Sequence, residues 1–370
     1  MKIERVELIH IRLPLVGTFR TSFGSMPEKD TFLLRVITGD AEGWAEFAGD
    51  PEHLYCDEFA ASAELVLRDH LIPRVVATGD VSVARVGPAV EAVKGHPLAK
   101  AVLETAILDA ELRGYDMSLA TYLGSVHDRV PSGVSVGIMD TIPQLLEAVS
   151  GYLEQGYVRI KLKIEPGWDI EPVRMVRREF GDDVLLQVDA NTAYSLTDAE
   201  QLRKLDEFGL PMLEQPLAED DLRGHAELAK LVHTPICLDE TINSARDTAT
   251  AIELGACRVV NVKPARVGGY LEARRIHDVA AANGIPVWCG GMLETGIGRA
   301  ANLALAALPG FVLPGDTSAS GRFYAEDITE PFVIEDGHLP VPTGAGIGVD
   351  VLDDALVRYT VARRDLYSHR

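Results

Sequence analysis

Zinc-type donors are scarce in this chain and poorly spaced. The ten histidines are scattered, with no HxH or HExxH. The cysteines, Cys56, Cys237, Cys257 and Cys289, form neither a CxxC pair nor a cysteine-histidine cluster. That excludes the common zinc sites, including those of histidine-ligated hydrolases, and leaves reduced buried thiols as the plain expectation. Positive charge is also short: 35 Lys and Arg stand against 56 Asp and Glu, a formal −21. So acidic a surface disfavours nucleic acid and anionic membranes as partners. No apolar run reaches about 18 residues, so no membrane helix is expected. The opening MKIERVELIHIRLPL alternates like a strand and unlike a signal peptide, which points to the cytoplasm.

What is present is a long globular chain of 370 residues, 47% hydrophobic and 25% charged. It is long enough for a barrel and a second domain. Residues 1–125 place strand-like runs at 3–13, 31–38 and 43–48 ahead of helical patterns at 57–70 and 97–113, an α+β arrangement. A polar-aromatic loop, Thr18-Phe19-Arg20-Thr21-Ser22-Phe23-Gly24, separates the first two strands. From 126 to 325 the rhythm changes. Strand candidates at 132–137, 157–164, 184–189, 211–215, 235–239, 258–263, 286–290 and 311–316 alternate with helical stretches, which predicts a parallel (β/α) barrel over an open doubly wound sheet. Residues 326–370 form a tail expected to return to the N-terminal cap. The glycine-rich run at 344–348 lies outside any βαβ unit and reads as a flexible loop.

Lys163, Asp189, Glu214, Asp239 and Lys263 end successive strands at intervals of 26, 25, 25 and 24 residues. Strand parity sorts the faces. Ile160, Leu162, Leu186, Val188, Leu213, Ile236, Leu238, Val260 and Val262 face the helices. Arg159, Lys161, Lys163, Gln187, Asp189, Glu214, Cys237, Asp239, Asn261 and Lys263 face the interior. Any one of these charges could be a solvated strand end. Five with the same parity and position make a site, because buried charges must be paired or bound to metal.

Asp189, Glu214 and Asp239 are three hard oxygen donors on adjacent strands, a set that suits Mg²⁺, with Mn²⁺ or another divalent cation as substitutes. Asn191 is placed to support the site or touch substrate. Lys161 and Lys163 share a face, so their like charges should compete and favour a neutral Lys163, a general base. Lys161 would remain cationic and bind a substrate carboxylate. Lys263 would flank the cavity from the opposite side, with Arg266 three residues on biasing it or lying on the surface. The chemistry this permits is removal of a proton α to a carboxylate, with a cation stabilising the charge that develops.

With these residues the chain resembles the enolase superfamily, in particular its muconate-lactonizing subgroup. The runs Val134-Ser135-Val136-Gly137, Lys161-Leu162-Lys163, Asp189-Ala190-Asn191, Glu214-Gln215-Pro216, Leu238-Asp239-Glu240, Asn261-Val262-Lys263-Pro264-Ala265-Arg266-Val267-Gly268-Gly269 and Gly290-Gly291-Met292-Leu293-Glu294-Thr295-Gly296 are similar to the o-succinylbenzoate synthase / N-acylamino acid racemase family. The resemblance implies a modified barrel of (β/α)7β type, an α+β N-terminal cap completed by the C-terminal tail, and a small carboxylate substrate. It implies Lys163 as base and Lys263 as second acid/base, with dehydration in menaquinone synthesis or racemisation of N-acyl, especially N-succinyl, amino acids as the outcome. It places Ser135, Asn191, Gly291, Met292 and Leu293 against substrate, with Phe19, Phe23 and Tyr55 as cap residues over the pocket. Asp50, in Gly49-Asp50-Pro51, departs from the apolar residue that the resemblance implies there. Homo-oligomers are also implied. A dipeptide epimerase would share the lysines and carboxylates but typically carries Asp-x-Asp on the eighth strand, where this chain has only Asp316. A muconate-type cycloisomerase and a non-catalytic metal-binding barrel complete the alternatives.

Overall fold

The computed structural model describes residues 1–21 and 24–369. Strands β1 (Ile3–Thr21), β2 (Gly24–Thr38) and β3 (Glu42–Glu46) form an antiparallel sheet. The first hairpin runs further than its sequence promised. Residues 18–21, expected in a loop, continue β1 and pair with β2, Phe19 opposite Met26 and Arg20 opposite Ser25. The apolar anchor that extends it is Phe19, buried edge-on against Phe323. The helix expected at 57–70 starts at Ala60, opens into a wider turn over Leu67–Leu71, and resumes through Ile72–Val76. The widening precedes Pro73, which has no N–H to donate to the ordinary helical ladder.

The helix Pro97–Gly114 is buried on nearly every side, as expected of a helix held between two layers. One layer is the cap sheet. Gly43 in β3 permits the approach, since a Cβ there would lie 2.0 Å from the Ala106 carbonyl oxygen. Asp109 on this helix accepts from the backbone N–H of Trp44 in β3 (2.8 Å) and of Ile347 (2.7 Å). The glycine-rich run at 344–348 is therefore tied down through its buried Gly346 and Ile347.

The short strand β4 (Arg129–Pro131) leads into the barrel strands β5 (Gly133–Val136), β6 (Arg159–Lys163), β7 (Leu185–Asp189), β8 (Leu213–Glu214), β9 (Ile236–Leu238), β10 (Val259–Val262) and β11 (Val287–Cys289). These seven from β5 onward are parallel and lie in sequence order, with helices between them. The expected eighth strand at 311–316 is not regular. It is an irregular segment with isolated parallel bridges to both edges, Phe311 to Val287 and Gly315 to Ser132. Pro314 can give no ladder N–H, and the segment must turn inward to present Asp316. Below it, β12 (His338–Pro340) pairs with β4, and the final β13 (Thr360–Ser368) pairs antiparallel with β1 at the sheet edge. Among the described residues no helix is long and apolar enough to cross a membrane.

Two buried carboxylates of the N-terminal segment reach onto barrel helices. Glu46 accepts from Thr295 N (2.9 Å) and Thr295 Oγ1 (2.7 Å) at the start of helix Gly296–Ala306. Glu104 accepts from Leu271 N (3.1 Å) at the start of helix Tyr270–Ala282. Helix N-termini attract negative charge, so each contact fixes the cap sheet and its helix over the barrel. Burial nevertheless pushes both carboxyls up to about 7, against the relief these bonds give. A glutamate unfolded titrates near 4.3. Between about 4.3 and 7 the folded chain therefore holds protons that the unfolded chain releases, and stability falls as pH rises through that window. The melting temperature should decline from pH 5 to 8, with a shallower slope in Glu104→Gln and in Glu46→Gln. Glu104→Ala should cost about 1–3 kcal/mol by chemical denaturation at neutral pH. Equal slopes in wild type and both Gln variants would remove this account.

Candidate active site

Strand register builds the site. Lys163 lies beside Asp189, and Asp189 beside Glu214, in one row across β6, β7 and β8; Ser135 lies beside Lys161 one layer below. The inward parity of Lys161, Gln187, Asp189, Glu214, Asp239 and Asn261 places them in the barrel interior, where all are buried. Beneath them Met212, Cys237, Val259 and Trp288 form an apolar plug. Trp288 presents its ring to the Lys161 ammonium at 4.8 Å and to the Arg159 guanidinium at 5.3 Å, a favourable use of an aromatic face.

Above the plug most charges meet an opposite one. Lys161, 2% exposed, reaches Asp316 (2.7 Å), Glu214 (3.1 Å) and Asp189 (3.2 Å). Burial works against its charge, but the carboxylates, Asp316 first, outweigh it and raise the ammonium above its ordinary range. Its charge is thus answered locally, and it does not act on Lys163 as the unshielded like charge expected from sequence. Lys163 donates to Asp189 and to Asn191 Oδ1, each at 2.6 Å. Asn191 in turn donates to Glu240 (2.9 Å). Lys263 donates to Asp239 (2.8 Å) and to the Tyr55 hydroxyl (2.9 Å). Burial opposes its charge as well, yet Asp239, Tyr55 and Glu240 hold it protonated. Arg266 is a buried partner of Asp239, at 2.8 Å, and not a surface residue.

The three expected cation ligands differ in how they are held. Burial raises Asp189 and Asp239, but Lys163 and Lys161 pull the first well below the carboxylate range, and Arg266 and Lys263 pull the second down. Glu214, fully buried, is pushed up to about 8 by burial and by neighbouring Asp189, although Lys161, Gln187 and Asn261 all donate to it. Positive charge is in short supply there. Among the described residues no three His, Cys, Asp or Glu side chains stand as a ready-made ion cage, because lysines close the gaps between these carboxylates. The donor set is all oxygen, and the deficit at Glu214 is one that a divalent cation relieves, so these residues fit such an ion.

Over this layer lies a cavity of about 70 Å³. It brings together Phe19, Tyr55, Ser135, Lys161, Lys163, Asn191, Lys263, Gly291, Met292, Leu293 and Asp316. Phe23 lies outside the described residues. The carboxylates of Asp189, Glu214 and Asp239 sit below the lining, behind the lysines. Asn191, Gln215 and Leu293 adopt positive φ (41°, 35° and 56°) at or just past strand ends, a strained conformation that persists only where the surroundings impose it. Sequence reasoning tied Asp50 to the substrate pocket with its effect open, and did not assign Met26, Ser318 or Phe323 to the lining. Met26 enters through the extended hairpin, while Ser318 and Phe323 follow the irregular eighth segment, where no periodicity marks a face. Asp316 is committed to Lys161 and to Arg159 (2.8 Å).

A family model described as enolase C-terminal domain-like matches residues 144–355. The chain is 62% identical to an N-succinylamino acid racemase from an Amycolatopsis species, covering 98% of this chain and 99% of that protein. It is 44% identical to an o-succinylbenzoate synthase from Geobacillus kaustophilus, covering 97% and 96%. A crystal structure of an enolase superfamily member from Listeria innocua superposes with a TM-score of 0.95 at 40% identity and full coverage of both chains. Charged strand ends, barrel and antiparallel cap sheet agree with these likenesses: the chain belongs to the enolase C-terminal domain-like family, within the enolase superfamily.

Proposed function

We propose that this protein removes the α-proton of a small carboxylate substrate, acting as an N-succinylamino acid racemase, an o-succinylbenzoate synthase, or both. One observation carries the reading. Lys163 and Lys263, on the second and sixth barrel strands, line a single cavity, each held by a buried carboxylate at a strand end. The relatives named above carry those two activities. Asp189, Glu214 and Asp239 would hold a divalent cation, with Mg²⁺ the best suited, which would supply positive charge for the substrate carboxylate.

Lys163, which lines the cavity, is the base that takes the proton from the α-carbon at its Nζ. Asn191 Oδ1 orients that amine. Lys263, kept protonated by Asp239, delivers a proton to the opposite face in racemisation. In dehydration it stays charged while Lys163 returns its proton to the departing hydroxyl. Lys161 is a fixed positive charge at the cavity floor, pinned so that substrate binding does not reorganise it. Phe19, Tyr55 and Leu293 exclude water from above. Asp316 is fully occupied by Lys161 and Arg159, which leaves nothing on the eighth segment to receive a dipeptide ammonium.

With Mg²⁺ in D₂O, the α-hydrogen of an N-succinyl amino acid should exchange, followed by NMR, and EDTA should abolish the exchange until metal is restored. Lys163→Ala should lower both racemisation and dehydration by at least about 100-fold; full activity in that variant would sink the assignment. Lys263→Ala separates the two lysines. It should stop interconversion of enantiomers while the enantiomer facing Lys163 still exchanges its α-hydrogen, seen by chiral chromatography alongside NMR. Equal loss of exchange from both enantiomers in Lys263→Ala would contradict two opposed proton carriers.

A further inference from the structure

The cavity has two unlike walls. Over β5, Phe19 packs edge-on with Phe323 at 6.1 Å, backed by Arg322, whose guanidinium lies 5.8 Å from the Phe19 ring and donates to Ser135 O (3.0 Å). Over β11 stands Asp50, from the segment following β3. Its neighbour is Lys29, which donates to Met292 O at 3.1 Å and so fixes Asp50 on the Met292 side.

Asp50 is a carboxylate with unused capacity. Its side chain is 19% exposed and accepts no hydrogen bond from a described residue. Lys29 Nζ lies 3.7 Å away, too far for a hydrogen bond. That ammonium gives two of its three donors to Ala48 O (3.3 Å) and Met292 O, and its field also serves Glu46 behind it. The cavity-facing side of Asp50 is left with open lone pairs in a cavity it shares with the apolar side chains of Met26, Met292 and Leu293. Such a group is costly when an apolar ligand displaces its water, and rewarding when a ligand brings a donor.

We propose that Asp50 is a specificity residue that receives a cationic end of the substrate, so that the preferred amino acid side chain is basic, lysine-like or arginine-like. The assignment rests on the N-acylamino acid reading above and narrows its substrate class. Asp50 touches the far end of the substrate and takes no part in proton transfer. It also repels an acidic side chain from the same wall.

The test compares two substrates that differ only in the terminal ammonium, Nα-succinyl-L-lysine and N-succinyl-L-norleucine. Exchange of the α-hydrogen in D₂O with Mg²⁺ gives kcat/KM for each in the wild type, Asp50→Asn and Asp50→Met. The wild type should favour lysine by about tenfold or more, the effect of one charge-assisted hydrogen bond, and added salt should narrow the gap. The ratio should fall to about one in Asp50→Asn and invert in Asp50→Met. If Asp50 served only to neutralise Lys29, both substrates would lose activity together and the ratio would persist, which overturns the proposal. If norleucine exchanges in the wild type and lysine has no advantage, the racemase reading stands and the role of Asp50 falls. If neither substrate exchanges, the N-acylamino acid reading fails and this assignment fails with it.

Discussion

Charge neutrality inside a closed barrel governs this molecule. Asp189, Glu214, Asp239, Glu240 and Asp316 are gathered at one end of the strands, and Lys161, Lys163, Lys263, Arg159 and Arg266 are gathered with them. Removing Lys161 leaves Glu214 buried without an ion-pair partner, which costs more than the pair itself contributes. The arrangement is therefore rigid at its base and exchangeable at its top. Lys161 and Arg159, clasped by Asp316 and resting on Trp288, have nowhere to go. Lys163 and Lys263 hold their carboxylates from the cavity side, and a better partner for those carboxylates frees an amine at the place where substrate sits.

The cap serves the same economy of position. Glu46 and Glu104 bring negative charge to two barrel helix starts, and Asp109 ties β3 to the chain near Ile347. These contacts hold Phe19, Met26, Asp50 and Tyr55 above strand ends that contribute mostly charge. Under the proposed function, chemistry rests on regular elements whose register leaves little choice, and selectivity on residues whose placement depends on how two layers meet. Tyr55 belongs to both, since it accepts from Lys263.

That division also explains what was legible in the sequence. A period of two within each strand and about 25 between strands marks Lys163, Asp189, Glu214, Asp239 and Lys263, because strand geometry leaves a side chain only two faces. Gln187 and Asn261 were sorted inward by the same parity, although nothing in it named Glu214 as their acceptor. The eighth segment was misread as a strand because residues 311–316 have the composition of one; Pro314 and the inward turn at Asp316 break it. Phe323 and Ser318 follow that break, beyond the reach of periodicity. The Thr18–Thr21 stretch seemed polar enough for a loop, and only the distant Phe323 explains why it is a strand. Arg266 was ambiguous for a related reason, since its burial depends on Asp239, a neighbour in space alone.

The apolar plug has a consequence for the traffic of hydrogen. Met212, Cys237, Val259 and Trp288 seal the far end of the barrel, so the charged layer is the bottom of a blind well. The charged layer meets solvent from above and from its flanks, where Lys263 and, separately, Tyr55, Glu240 and Arg266 border further pockets. Under the proposed chemistry, the fraction of a substrate hydrogen that returns to product in place of solvent hydrogen gauges how well those openings keep water from the two lysines.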